Sequence, residues 1–398
     1  MIKNSFAYLI FGANSLRFEE AKKPNQKFIV FKLNSSGQQI GLNTALIFFK
    51  NIRARYYVLN DKFEPCFDEQ ILMSEALDEF GLVGGICENT IYSSENMVPL
   101  FLVALDNKTV YTYSFLLSNI GELLFLNSGS KKIDRSLISI RQIKKYIDLA
   151  FVNHHKYRYQ LNNYTGLYSK VDPDVEYEYK LNLPETTDIW QVQQYFVRSL
   201  REGKIQGYAL NLLRGITRWA FENYLFEVTA PKTEKGYISF IRSPNNNYII
   251  KHKIYNRDQL KRTELRSRDV QIKGSLEDYL KEKYPKFSFK KYPMFVRQFY
   301  GFVMDSLDSG NNFGFTVDRN YIDGGDYPRL VQLEIEYYNS LKLIKPDSFH
   351  KELIRVTDIC REHLTKLNIP FEDTFYSKLS YLKDYVCGKK GLTKTFRT

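Results

Sequence analysis

The chain has 398 residues, 43% of them hydrophobic and 26% charged, with a formal net charge of +12. This is the composition of a globular chain long enough for two cores, and no apolar run reaches the length of a membrane span. Cys66, Cys87, Cys360 and Cys387 are scattered with no Cys-x-x-Cys pair, and the five histidines miss zinc-ligand spacing, so zinc and haem are not expected and reduced thiols are.

The opening Met1-Ile2-Lys3-Asn4 lacks a long apolar segment with a small-residue cleavage site, and the expected location is cytoplasmic. Charge divides as about +4 before residue 166 and about +8 after it, with only Lys389-Lys390, Lys394 and Arg397 as a basic tail. Part of it falls on predicted strands, which favours a polyanion held inside the fold over a duplex held outside.

Residues 1–165 read as a separate mixed α/β domain. Phe6–Phe11, Phe28–Phe31, Met97–Ala104, Tyr111–Leu116 and Leu123–Leu126 are strand-like, and Thr44–Phe49 fits a strand or a helix. Acidic residues at helical spacing predict a helix in Phe67–Phe80. Leu137, Ile140, Ile143, Ile147 and Phe151 predict an amphipathic helix over 136–152. Phe11-Gly12-Ala13-Asn14-Ser15 and Gly81-Leu82-Val83-Gly84-Gly85 lack the Lys-Ser/Thr of a phosphate loop and read as turns. His154 and His155 point in two directions and do not share a metal. This domain carries no catalytic motif that would assign its role as an accessory unit; a protein partner or a second copy of the chain is one contact open to it. The turn-rich run Gln160–Pro173 marks a boundary.

Residues 174–340 carry eight predicted antiparallel strands: Val175–Leu181, Leu225–Thr229, Gly236–Arg242, Tyr248–Ile254, Lys261–Val270, Pro293–Met304, Phe313–Asp318 and Arg329–Tyr338. Ser243-Pro244-Asn245-Asn246-Asn247 reads as a hairpin loop. Pro184–Asp188 starts a helix over Ile189–Leu200. Tyr208–Tyr224 reads as a second helix with Arg214 and Arg218 on one face, and a short one falls near Leu276–Glu282. Residues 341–398 supply helices at Phe349–Leu367 and Thr374–Val386.

Alternation puts Glu176, Glu178 and Lys180 on one strand face, and Tyr177, Tyr179 and Leu181 on the other. Leu333-Glu334-Ile335-Glu336-Tyr337 repeats the pattern. Eight antiparallel strands can close into a barrel with room for one ligand. An interior of Glu176, Glu178, Lys180, Arg242, Lys251, Lys253, Arg262, Glu264, Arg297, Glu334 and Glu336 is costly without a charged guest. Carboxylates suit Mg²⁺ or Mn²⁺, and lysines and arginines grip phosphate. Arg266 and Arg268 continue the Glu264 face toward the rim, His252 points outward, and Phe240 points inward as core or as a base-stacking ring.

The ordered set resembles the CYTH family, the triphosphate tunnel metalloenzymes. Glu176-Tyr177-Glu178-Tyr179-Lys180 is similar to that family's Glu-x-Glu-x-Lys strand, and Phe240-Ile241-Arg242 to its Arg-x-Arg strand with the first arginine replaced. Ile250-Lys251-His252-Lys253, Arg262-Thr263-Glu264, Arg297, Asp318 and Glu334-Ile335-Glu336 follow in the family's order. The resemblance implies a tunnel-shaped barrel with Mg²⁺ or Mn²⁺ on Glu176, Glu178, Glu334 and Glu336. It places a triphosphate on Lys180, Arg242, Lys251, Lys253, Arg262 and Arg297, with Glu264 and Lys180 as candidate catalytic groups. The family's members include tripolyphosphatases, thiamine triphosphatases, RNA triphosphatases and adenylyl cyclases. For this chain the expected guest is a nucleoside triphosphate, with an RNA 5′ end as the alternative. The long crossover after Lys180 tips the expectation toward nucleotidyl transfer or cyclisation, a product that would suit nucleotide signalling or antiviral defence. Hydrolysis, and a sensor that binds without turnover, stay open.

Overall fold

The computed structural model describes residues 6–13, 16, 28–34, 37–49, 52–59, 64–73, 97–106, 108–119, 121–134, 139–161, 167–243, 245–324, 327–341 and 349–389. Two antiparallel sheets carry the chain. The first comprises β1 (Phe6–Ala13), β2 (Phe28–Asn34), β3 (Gln39–Ile40), β4 (Thr44–Phe48), β5 (Arg53–Leu59), β6 (Pro65–Leu72), β7 (Met97–Asp106), β8 (Thr109–Asn119) and β9 (Glu122–Lys132). Their spatial order is β3-β4-β9-β8-β7-β1-β2-β5-β6. On one face Ile143, Ile147 and Phe151 of helix α1 (Ile143–Leu161) pack on Tyr8, Phe28 and Phe101. The other face packs Leu9, Phe11, Phe31 and Phe125 together.

Three expectations in this region meet the structure differently. Thr44–Phe48 is a strand because β9 offers it a ladder. Acidic spacing in Phe67–Phe80 was misleading over its first part: Pro65–Leu72 is an edge strand on β5, with Asp68, Glu69 and Gln70 exposed, and 74–80 lie outside the described residues. Charge on an edge strand discourages pairing with other chains, which mimics a polar helix face in sequence. The helix predicted over 136–152 begins only at Ile143, behind a 3-10 turn at Ile140–Gln142. Gly81–Gly85 and Asn14-Ser15 lie outside the described residues. His154 is buried against Ser114 and Phe101, whereas His155 meets Arg158.

The second sheet comprises β10 (Tyr168–Ser169), β11 (Val175–Leu183), β12 (Tyr208–Leu210), β13 (Thr217–Ala230), β14 (Gly236–Arg242), β15 (Tyr248–Ile254), β16 (Lys261–Val270), β17 (Ser288–Lys291), β18 (Phe295–Ser306), β19 (Asn311–Tyr321), β20 (Leu330–Leu341) and β21 (Glu372–Thr374). Eight of them close into an antiparallel barrel in the order β11-β20-β19-β18-β13-β14-β15-β16, with β16 returning to β11. The fold class is therefore the expected one: an eight-stranded antiparallel barrel with C-terminal helices, preceded by a separate sheet-rich region. Among the described residues no helix is long and apolar enough to cross a membrane.

Helices α2 (Ile189–Arg201), α3 (Leu276–Lys283), α4 (Phe349–Lys366) and α5 (Lys378–Val386) accompany the barrel. Asp188 caps α2 by accepting from the backbone N–H groups of Trp190 and Gln191. Phe349 of α4 stacks on Tyr337 and meets Tyr177 edge-on, so the aromatic faces of both Glu-x-Glu strands are sealed outside. Their acidic faces must then point inward. The helix predicted over Tyr208–Tyr224 is not formed. Gly215, at φ +62°, turns the chain between β12 and β13, and Trp219, Phe221, Asn223 and Leu225 then alternate into the barrel.

The two sheets meet through Leu46, Leu124 and Leu126 against Leu307 and Leu341. Leu307 O accepts from the backbone N–H groups of Asn43 and Thr44, and a Cβ on Gly41 would stand 2.3 Å from that same oxygen. Gly41→Ala is expected to cost about 1–3 kcal/mol by overpacking this junction. Urea unfolding checks it: an unchanged midpoint would show that the backbones can part freely.

Candidate active site

The barrel interior is a cavity of about 640 Å³ lined by eleven lysines and arginines against five glutamates. Strand alternation supplies them. β11 turns Glu176, Glu178 and Lys180 inward and β20 turns Glu334, Glu336 and Tyr338. β15 adds Lys251 and Lys253, β16 adds Arg262, Glu264, Arg266 and Arg268, and β18 adds Arg297. In register, Glu178 stands opposite Glu336 and Lys180 opposite Glu334.

One end of the cavity is closed by the C-terminal segment. Leu379 and Leu382 of α5 cluster with the cavity-lining Leu225 and Tyr237, and Phe375 O accepts from Arg262. Lys378, the first residue of α5, reaches inside, pairing with Glu334 and standing 3.0 Å from Asp318. Glu334 also takes Lys180 at 2.7 Å and Arg297 at 2.7 Å, and Arg297 is 2.5 Å from Asp318. Burial pushes the Glu334 carboxyl up, but Lys180, Lys378 and Arg297 together hold it well below its ordinary range. Burial dominates for Lys378, whose ammonium is pushed down to about 8 despite two acidic neighbours.

Further along, Lys253 lies 2.6 Å from Glu176 and 3.1 Å from Glu264, and Lys251 is 3.1 Å from Glu264. Arg262 is 3.8 Å from Glu178. Burial opposes the Glu264 charge, yet Lys253, Lys251 and Arg266 keep it ionised far into acid. Glu336 is different. Among the described residues its one ion pair is long, 3.9 Å to Lys170. Burial, with the charges of Glu176, Glu264 and Glu178, pushes its carboxyl up to about 8. It is the acid in the cavity with the weakest compensation.

No set of three or more Asp, Glu, His or Cys side chains among the described residues converges tightly enough to cage a metal. The donor set nevertheless fits a hard divalent ion of the Mg²⁺ type, which commonly takes one or two carboxylates and completes its shell with water and phosphate oxygens. Two facing glutamates, one of them under-compensated, are the expected donors for such an ion.

No protein-family model and no curated protein matches the chain by sequence. Among solved structures it is similar to HpAC1 from Hippeastrum, described as an adenylyl cyclase candidate with a dominant triphosphatase activity. That match has 16% identity and a TM-score of 0.31, covering 54% of this chain and 96% of that one. It is also similar to the S. pombe RNA triphosphatase Pct1 in complex with the Spt5 CTD, at 11% identity and a TM-score of 0.23, covering 49% and 85%.

The structure gathers Glu176, Glu178, Lys180, Lys251, Lys253, Arg262, Glu264, Arg297, Glu334 and Glu336 around one cavity. Arg242 is a correction: it is exposed outside the barrel, donating to Asn246 Oδ1 at 3.0 Å. β14 is phased by Phe240, which fills an outer apolar cluster with Phe226, Ile250 and Leu280, so Tyr237, Ser239 and Ile241 face in. Phe240 is thus a core residue, as one of its two expected readings had it, but of an outer cluster and not a ring that stacks a base in the cavity. His252 faces Tyr284 and Phe287 on the outside, as alternation predicts. Lys378 and Tyr237 were missed. A lysine opening a C-terminal helix carries no local sign that it enters a barrel, whereas Tyr237 followed from the correct phase of β14.

Proposed function

We propose that this chain is a divalent-metal-dependent hydrolase that cleaves a phosphoanhydride bond of a nucleoside triphosphate held in the barrel. The observation that carries the reading is the excess of lysines and arginines over glutamates around a cavity closed at one end, eleven against five, with Arg214, Arg218, Arg266 and Arg268 exposed to an incoming ligand. An interior of that sign calls for a polyanion, and the closed end limits what else can enter. A Mg²⁺ or Mn²⁺ ion on Glu178 and Glu336, with Glu176 beside them, would neutralise phosphate charge and the charge that develops as the bond breaks.

The chain's own groups do the rest. Lys251, Lys253, Arg262 and Arg266 exchange carboxylate partners for phosphate oxygens. Lys180, Arg297 and Glu334 form a fixed charged floor that keeps the terminal phosphate from sliding deeper. Glu264, held ionised, orients the attacking water by accepting its hydrogen bond. The water oxygen bonds to the terminal phosphorus as the bridging oxygen leaves with the nucleoside diphosphate. Trp219, Phe221 and Phe299 form an aromatic wall in the same cavity and suit the base.

The sequence tipped toward nucleotidyl transfer, and the aromatic wall keeps that reading alive by offering the nucleoside a fixed seat. Closure by α5 favours hydrolysis over transfer to a second large molecule, since only a small external nucleophile reaches a phosphate at a blind end. Incubation with α- and γ-labelled nucleotides decides between them. The expected result is a nucleoside diphosphate and orthophosphate, dependent on Mg²⁺ or Mn²⁺ and stopped by chelation. Pyrophosphate with a nucleotidyl product would establish transfer, and tight binding without turnover would establish a sensor.

A further inference from the structure

We propose that Asp305 is a positioning residue that acts through Asn211 to hold Arg214 over the open end of the barrel, where the guanidinium grips the phosphate nearest the nucleoside. This rests on the tunnel reading above and adds to it a phosphate contact whose support lies outside the cavity. β20 climbs from the floor at Glu334 past Glu336 to Tyr338, and β13, traced backward, climbs from Leu225 at the closed end to Thr217. Tyr338 and Arg214 therefore meet at the open end, with the guanidinium 5.3 Å from the ring centroid. The ring itself lies across Gly314, where a Cβ would stand 2.3 Å from it. Arg214 lines the cavity, is exposed, and makes no ion pair among the described residues. Unlike Lys251, Lys253 and Arg262, it gives up no carboxylate when a phosphate arrives.

Its main chain is fixed from behind. Asn211 is 1% exposed; its Oδ1 accepts from the Arg214 backbone N–H at 2.8 Å, and its Nδ2 donates to the two Asp305 oxygens at 2.8 and 3.1 Å. Asn312 Nδ2 donates to Asp305 as well. Asp305 is buried, does not line the cavity, and makes no ion pair among the described residues. Burial pushes its carboxyl up to about 7, against the pull of the Asn211 hydrogen bond and the Arg214 charge. A carboxylate so placed is costly, and a function is needed to explain why an apolar residue does not stand there. The function follows from the amide. Asn211 has one donor end and one acceptor end, and an acceptor at Asp305 fixes which of them faces Arg214.

Steady-state cleavage of a nucleoside triphosphate by the full chain tests this, with inhibition by the nucleoside diphosphate measured alongside. Arg214→Ala is expected to raise KM and the diphosphate Ki together by about ten- to a hundredfold with little change in kcat, the size of one lost charge-assisted hydrogen bond. Asp305→Ala should raise both by about three- to tenfold, and Asp305→Asn, which keeps a carbonyl acceptor for Asn211, should recover most of that. In the Arg214→Ala background, Asp305→Ala should add nothing. Urea unfolding checks that each variant folds, and Asn211→Ser takes the place of Asp305→Ala in the cycle if that variant does not. An unchanged KM in Arg214→Ala, an equal effect of Asp305→Ala in both backgrounds, or a fall in kcat without a rise in KM would overturn the relay and leave the tunnel standing. If the wild type cleaves no triphosphate, the hydrolase reading fails, and calorimetry reads the same cycle as the Kd of a non-hydrolysable triphosphate. The same pattern there supports the relay; any other pattern, or no binding, overturns it.

Discussion

Glu336→Gln is expected to lower kcat by about 10²–10³-fold, the size of losing one group that stabilises transition-state charge, while making the protein more stable above neutral pH. The two effects share a cause. In the folded chain the Glu336 carboxyl is pushed up to about 8 by burial and by Glu176, Glu264 and Glu178, against an ordinary value of 4.5. Between those values the folded state keeps a proton that the unfolded state has released, so stability falls as pH rises through the window. The slope from this group approaches about 1.4 kcal/mol per pH unit. Glutamine carries no charge and removes the slope. Urea midpoints of wild type and variant should therefore coincide near pH 4.5 and separate in the variant's favour toward pH 8. Added Mn²⁺ should stabilise the wild type at pH 8 by about 2.7 kcal/mol at a hundredfold excess over Kd, and the variant much less. A variant less stable than wild type at pH 8 would show that Glu336 is structural.

Glu334→Gln is expected to do the opposite: a loss of about 3–5 kcal/mol at pH 7, because it leaves three cations, Lys180, Arg297 and Lys378, around two remaining carboxylates, Glu178 and Asp318. Glu334 is held well below its ordinary range, so its contribution is present above the unfolded carboxylate value and is lost as pH falls toward the folded one. The gap between wild type and variant should shrink in acid. Lys378 offers a second handle. Its ammonium is pushed down to about 8, so its charge costs stability below that pH. Adding Lys378→Met to Glu334→Gln should recover part of the loss, in a double-mutant cycle read by urea unfolding at pH 7. A Glu334→Gln variant as stable as wild type would mean that the floor of the cavity is wet and loosely held.

The contrast between these two glutamates, two residues apart on β20, shows where the sequence was legible. Alternation on β11 and β20 set acids against aromatics, and one phase of each strand could satisfy both the cavity and the helix outside. That made the inward set and the barrel readable. On β14 the pattern Gly-Tyr-Ile-Ser-Phe-Ile-Arg allowed either phase, and the choice lay with Phe226, Ile250 and Leu280 on other elements. Arg242 was misplaced for that reason. Tyr208–Tyr224 failed because Gly215 breaks the segment in the left-handed region and a long strand of mixed polarity imitates a helix face. The partners of each charge were not legible. Glu334 and Glu336 look alike in sequence, and the convergence of Lys180, Arg297 and Lys378 on Glu334 from three other elements makes one a floor and leaves the other under-compensated.

The most direct test is a crystal of the protein soaked with Mn²⁺ and a non-hydrolysable nucleoside triphosphate, read by anomalous scattering. The predicted result is a manganese peak at bonding distance from Glu336 and Glu178, with phosphate oxygens on Lys251, Lys253 and Arg262. A triphosphate on the outer surface, or a barrel whose glutamates keep their lysine partners and admit no metal at saturating concentration, would contradict it.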